Sequence, residues 1–124
     1  MTWYSNIRIM NMRKLPSKPL RFMGATLRTI RKFPKEARSL AGEGLRIVQQ
    51  GGMPEDWKQM PDVGQGVLEL RIHKPHEHRV IYVAKFPEAV YVLNAFEKKS
   101  KKTPQTEVDQ ARRIYAQMLK ERNK

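Results

Sequence analysis

Two arginines, a phenylalanine and a run of lysines are the residues of this chain best suited to chemistry, and the group they suit is a phosphate. Arg71 and Arg79 lie in neighbouring strand-like stretches, VLELRIH (67–73) and HRVIYVAKF (78–86), and Phe96 closes a third, AVYVLNAF (89–96). A short turn over residues 74–76 sets Arg71 opposite Arg79, and a two-residue turn at Pro87-Glu88 sets Arg79 opposite Phe96. Like charges opposed across strands cost about 0.2–1 kcal/mol unless an anion neutralises them. A nucleic-acid backbone would do so, with Phe96 stacking a base. The alternatives are a solvated sheet face in which the arginines pair with Glu69 or Glu77, and core packing for Phe96. Lys98, Lys99, Lys101 and Lys102 follow the third strand directly, where a lysine turn at the end of an arginine-bearing sheet can reach phosphates. Lys85 reads as a residue snorkelling at the sheet edge, and Lys58, beside Trp57, as a cation–π partner.

His73, His76 and His78 cluster around the first hairpin turn. No carboxylate or thiol of zinc spacing accompanies them, so they read as turn histidines with no metal, and His73 and His78 become proton-transfer candidates only if they lie near the arginine row. There is no Gly-rich phosphate loop, no G-x-S-x-G elbow and no pair of catalytic carboxylates, and no cofactor is implied.

The elements that must hold these residues follow from periodicity. Residues 1–17 show no clean period and read as an irregular extension. Leu20, Phe22 and Met23 before Gly24 suggest a first strand, and Thr26–Phe33 a short amphipathic helix. Pro34 opens a longer helix whose apolar set Ala37, Leu40, Ala41, Leu45 and Val48 recurs every three or four residues, closed by Gly51-Gly52. A loop, PEDWKQMPDVGQG, leads into the three-strand meander. Thr103 and Pro104 then start a terminal helix as N-cap and first residue, with Val108, Ala111, Ile114, Tyr115 and Met118 as its stripe. The expected order is β-α-α-β-β-β-α, an α+β domain with helices on one face of an antiparallel sheet.

Composition narrows the partner. The 124 residues carry 25 Lys+Arg against 12 Asp+Glu, a net charge of +13, which predicts a polyanionic or strongly acidic partner. The charge is +9 over residues 1–50, −1 over 51–96 and +5 over 97–124, so cations flank a near-neutral run of strands. Absence of cysteine excludes a disulfide framework, a thiolate nucleophile and a Cys-containing zinc site. No apolar run nears the roughly 20 residues of a bilayer span, and the first residues lack a secretory segment, so no membrane association and a cytoplasmic location are expected.

The succession TLRTIRKFPKEAR, EDWKQM, LELRI, HRVIYVAKF and AVYVLNAFEKKSKKTP, followed by a terminal helix, resembles the RelE/ParE toxin superfamily, in particular its HigB-like branch, over roughly residues 19–120. The resemblance implies one toxin domain over 18–124, with a RelE-like microbial RNase-type fold. It further implies a type II toxin–antitoxin toxin acting as a ribosome-dependent mRNA endoribonuclease. Its partners would be the ribosome, mRNA and a cognate antitoxin, often a helix-turn-helix protein. Arg79 matches the arginine expected to stabilise the transition-state phosphate, and Arg71 and Lys98-Lys99 occupy positions where relatives place further cations. The catalytic set is then Arg79, Arg71 and Lys99, and the RNA-binding set Lys58, Lys85, Phe96, Lys98, Lys101 and Lys102. Relatives often use a tyrosine or histidine near the end of the sheet. Phe96 cannot transfer a proton, which leaves the general acid and base unassigned. The extension departs from the branch, and a start at Met10 or Met12 would account for it. Inhibition of DNA gyrase in the manner of ParE, and RNA binding without toxicity, are the competing functions.

Overall fold

The computed structural model describes residues 17–124; residues 1–16, nearly all of the expected extension, lie outside them. The chain runs β1 (Leu20–Phe22), α1 (Thr26–Arg31), α2 (Lys35–Gln49), β2 (Trp57–Gln59), β3 (Val67–Ile72), β4 (His78–Val83), β5 (Val90–Glu97) and α3 (Gln105–Arg122). The α+β class and the helix and strand segments read from the sequence are present, with β2 added. That strand was expected to be loop. Three polar-flanked residues carry no period of their own, and β2 exists because it pairs with β3, Lys58 opposite Glu69.

The five strands are ordered β1-β5-β4-β3-β2. Two expectations about the sheet are corrected. It is mixed rather than wholly antiparallel, because β1 pairs with β5 in parallel, Leu20 opposite Val90. The helices also cover both faces. One core joins Ile30, Phe33, Ala37, Ala41, Leu45 and Val48 of the α1–α2 segment to Leu70, Ile72, Val80 and Tyr82. The other joins Val108, Ala111, Tyr115 and Met118 of α3 to Val67, Ile81, Val83, Leu93 and Phe96. The physical reason is visible in β4 and β5, where every residue except Glu97 is buried. Such strands are near-continuous apolar runs because no side faces water. Each fully buried aliphatic side chain contributes about 1.5–3 kcal/mol, so two opposed layers roughly double what one face could supply.

Register places the chemistry. Arg71 pairs with Arg79, and Arg79 with Phe96, as the turn arithmetic predicts. In the second hairpin an irregularity between Ile81 and Tyr82 absorbs one residue, so the pairing near the turn is offset from that at Arg79. Because side chains alternate along a strand, Glu69, Arg71 and Arg79 share the face covered by α3, and His78 falls on the α1–α2 face. The loop between β2 and β3 lies flat against α3. A Cβ built on Gly64 would stand 2.2 Å from Cε2 of Tyr115, so only glycine permits this approach.

Candidate functional site: a basic cleft floored by a buried ion pair

At the end of the sheet where β3 finishes and β4 begins, the α3 face opens into a cleft of about 490 Å³. Its lining includes Lys58 and Gln59 of β2, Glu69 and Arg71 of β3, Arg79 of β4, and Lys98, Lys101, Lys102 and Thr103 of the segment after β5. Three local devices hold the walls. Lys98 N–H donates to Glu77 O at 2.8 Å, fastening the lysine turn to the head of β4. Within that turn Lys98 Nζ donates to Lys101 O at 2.6 Å and Ser100 Oγ to Lys102 O at 2.7 Å. On the other side Arg112 Nε of α3 donates to Asp62 O at 2.9 Å, and Tyr115 Oη to Gln65 O at 3.2 Å, pinning the loop that carries Met60–Asp62.

Arg79 forms the floor. Its side chain is 2% exposed and that of Glu69 3%, with Arg79 Nε 3.6 Å from Glu69 Oε1. Arg79 Nη2 donates to Glu77 Oε1 at 2.8 Å, and Nη1 to the carbonyls of His78 at 2.9 Å and Ile72 at 3.4 Å. The Nε atoms of Arg71 and Arg79 have no hydrogen-bond partner. Arg79 is therefore a buried, internally paired cation rather than an open phosphate clamp, and the pairing with Glu69 and Glu77 weighed in the sequence is the one formed. Arg71 stands higher, its side chain 36% exposed and 3.9 Å from Asp56 Oδ1. The repulsion between the two opposed arginines is thus relieved by Asp56, Glu69 and Glu77 from within the chain, and needs no external anion.

The electrostatics reach the turn. The Arg79 guanidinium, and after it the His73 ring, holds the Glu77 carboxyl down to about 2. His73 in turn is raised above the usual imidazole value, first by its hydrogen bond to Asp56 and then by Glu77. His73 is exposed at the rim of a separate groove beside α2 and does not line the cleft.

Several site expectations are corrected. His78 cannot exchange protons with groups in the cleft: it is buried on the opposite face, its ring 4.5 Å from that of Phe33 and its Nδ1 bonded to His76 O. Phe96 is 7% exposed and packed in the α3 core, so no face is free to stack a base. Lys85 follows the far end of β4, over the Phe86 ring at 5.3 Å, away from the cleft. Lys58 lines the cleft and makes no cation–π contact with Trp57, because successive strand residues point to opposite faces. Lys99 is exposed on the same turn but does not line the cleft. Thr103 is not the N-cap. Pro104 holds that position without a side-chain cap, and the Thr103 hydroxyl instead donates to Glu69 Oε2 at 3.3 Å. The helix after Pro34 likewise begins one residue later, with Pro34 as its N-cap.

Gln59, Asp56, Thr103 and Gln105 were not read from the sequence as parts of the site, and Glu69 only as a pairing alternative. Period-two alternation in VLELRI does place Glu69 and Arg71 on one side with Val67, the one signal that a polar strip faces a covered side. Among the described residues no group of three or more His, Cys, Asp or Glu could hold a metal ion, and no helix is long and apolar enough to cross a membrane.

The sequence profile of the family described as "Phage derived protein Gp49-like (DUF891)" matches residues 28–116, which takes in α2, the whole of β2–β5 and most of α3. No curated protein matches the chain. Among solved structures, an arginine double mutant of the E. coli toxin RelE in the free state is similar over 85% of this chain and 97% of that one, with a TM-score of 0.55 at 14% identity. At that identity the likeness is one of fold.

Proposed function

The chain belongs to the phage-derived Gp49-like family and carries the RelE fold of the RelE/ParE superfamily, and on that premise we propose that it is the toxin of a toxin–antitoxin pair, cleaving mRNA on the ribosome. The observation that carries the reading is the cleft, in which Lys58, Arg71, Lys98, Lys101 and Lys102 surround a floor cation, Arg79, on one side of the sheet. Six cations lining one concavity attract a polyanion and concentrate it there. In RNA cleavage without an external nucleophile the ribose 2′-OH attacks the adjacent phosphorus. The protein's main tasks are then to align the strand and to stabilise charge on the non-bridging oxygens.

Arg71 and the lysines take the direct phosphate contacts, since they stand open to the cleft. Arg79 acts from beneath, its charge fixed by Glu77 and the carbonyls so that no reorganisation is needed as charge develops. Lys99 adds long-range attraction from the same turn. A cognate antitoxin, in a HigB-like arrangement a helix-turn-helix protein, keeps the cleft from its substrate.

The test is expression of the chain without its partner, with mapping of mRNA 5′ ends, followed by reconstitution with programmed ribosomes and with naked mRNA. New 5′ ends within coding regions, and cleavage that requires the ribosome, are expected. Growth arrest with intact mRNA and relaxed plasmid supercoils would instead favour gyrase as target. An absence of growth arrest together with RNA binding would reduce the protein to a binding module.

A further inference from the structure

The cations of the cleft have an evident complement in phosphate, whereas its buried carboxylate does not. A negative charge among phosphate contacts repels the substrate, so its presence at the floor calls for a role. Counter-charge to Arg79 is one, but Glu77 already holds that guanidinium at 2.8 Å, while Glu69 stands at 3.6 Å, beyond hydrogen-bond distance. The hydrogen bond that Glu69 does make is accepted from Thr103 at 3.3 Å. An ionised carboxylate offers about four acceptor positions, so most of its capacity is unused.

Cations surround it. Lys58 lies opposite on β2, Arg71 two residues along β3, Arg79 on β4, and Lys98, Lys101 and Lys102 line the same cleft from the segment after β5. Asp62, the other carboxylate along the cleft, is exposed on the loop. Neither His73 nor His78 lines it.

We propose that Glu69 is the general base of the cleavage reaction, an assignment that rests on the RNA-cleaving reading above. Its carboxylate takes the proton of the ribose 2′-OH, and the electron pair of that O–H bond forms the 2′-O–P bond. The P–O5′ bond breaks with its pair on the 5′ oxygen, which takes a proton from water, and the proton held by Glu69 then passes to the hydroxide so formed, restoring the carboxylate. The products are a 2′,3′-cyclic phosphate and a 5′-hydroxyl end, with no change of oxidation state. Thr103 is a positioning residue, its hydroxyl fixing one carboxylate oxygen and leaving the other for the substrate.

The experiment measures cleavage of mRNA on programmed ribosomes, and RNA binding, for wild type, Glu69→Gln and, as a control on the opposite side of the sheet, Glu43→Gln. The amide of Glu69→Gln keeps the size of the side chain and an acceptor for Thr103 but cannot take a proton. Cleavage is expected to fall about 10²–10⁴-fold, with RNA bound as tightly as before or more tightly, and Glu43→Gln unchanged. The wild-type pH–rate profile should rise from its acid side as the base loses its proton, and the variant should lack that limb. A Glu69→Gln protein that cleaves within about tenfold of wild type, or whose binding falls in step with its cleavage, overturns the assignment. If the variant does not fold, the wild-type profile decides, because a rate flat through the acid range excludes a carboxylate base. A wild-type protein that cuts no RNA at all refutes the RNase reading itself, an outcome distinct from failure of the base.

Discussion

Replacing Arg79 by alanine should cost this protein much of its stability, which separates a structural debt from any catalytic one. The substitution deletes the hydrogen bonds from the guanidinium to Glu77 at 2.8 Å and to the carbonyls of His78 and Ile72 at 2.9 and 3.4 Å. It also strips the nearest cation from Glu69, whose side chain is only 3% exposed and then retains the Thr103 hydroxyl at 3.3 Å. Removing one partner of a buried pair leaves an uncompensated charge and costs about 3–5 kcal/mol, a large part of the 5–15 kcal/mol by which domains are typically stable. With a urea slope of about 1.5 kcal/mol/M, the unfolding midpoint should drop by about 2–3 M. Arg79→Met combined with Glu69→Gln, which removes both charges and keeps the volume, should recover at least half of the loss, and wild type, Arg79→Met, Glu69→Gln and the double variant form a double-mutant cycle. Arg79→Lys should fall between, since it keeps the charge but not the planar fork that serves Glu77 and the carbonyls together. Equilibrium urea unfolding followed by circular dichroism measures all of these. A midpoint for Arg79→Ala within about 0.5 M of wild type, or no recovery in the double variant, would refute the view of Arg79 and Glu69 as a buried, coupled pair.

Three further outcomes are expected. Gly64→Ala should destabilise by about 1–3 kcal/mol, because its methyl would lie 2.2 Å from the Tyr115 ring; thermal melts of the variant beside Tyr115→Leu test the contact. RNA binding should weaken steeply with salt, and Lys98, Lys101 and Lys102 changed together to alanine should lower the slope of log affinity against log salt by about 2, read by titration from 50 to 200 mM salt. In acid the fold should lose stability as pH falls from about 4.5 toward 2, because the Glu77 carboxyl is held at about 2 chiefly by Arg79, and that of Glu88 at about 2 chiefly by Arg122. Such depressed carboxylates stabilise above their unfolded value and lose that contribution as pH falls through the folded one, so Glu77→Gln should flatten the decline. His73 acts in the opposite sense: its raised value adds stability below about 6.5 that disappears as pH rises past its folded value, and His73→Ala should remove that dependence in melts recorded from pH 5 to 9.

What the residues determined alone is whatever rests on local period and turn geometry. Spacing of Ala37, Ala41, Leu45 and Val48 is enough to make α2 a core-facing helix, and the short first turn is enough to set Arg71 opposite Arg79, because hairpin register follows from loop length. Phe96 joins that row through the irregularity between Ile81 and Tyr82, which turn length alone does not supply. The basic termini likewise announce a polyanionic partner before any fold is known. Tertiary structure decided what each member of that row faces. A row on a sheet is open or buried according to what packs over it, and α3, which closes that face, meets the strands through residues apart in sequence, as where Asn94 Nδ2 donates to Glu107 O at 3.0 Å across 13 positions, so local period does not reveal the contact. It therefore took the assembled layers to turn Phe96 into core, Arg79 into a buried floor cation and His78 into a ring beneath the opposite face. Pairing across distant strands also created β2, brought Lys58 opposite Glu69, and carried Thr103 to the carboxylate 34 positions away, joining residues whose meeting depends on the path of the whole chain.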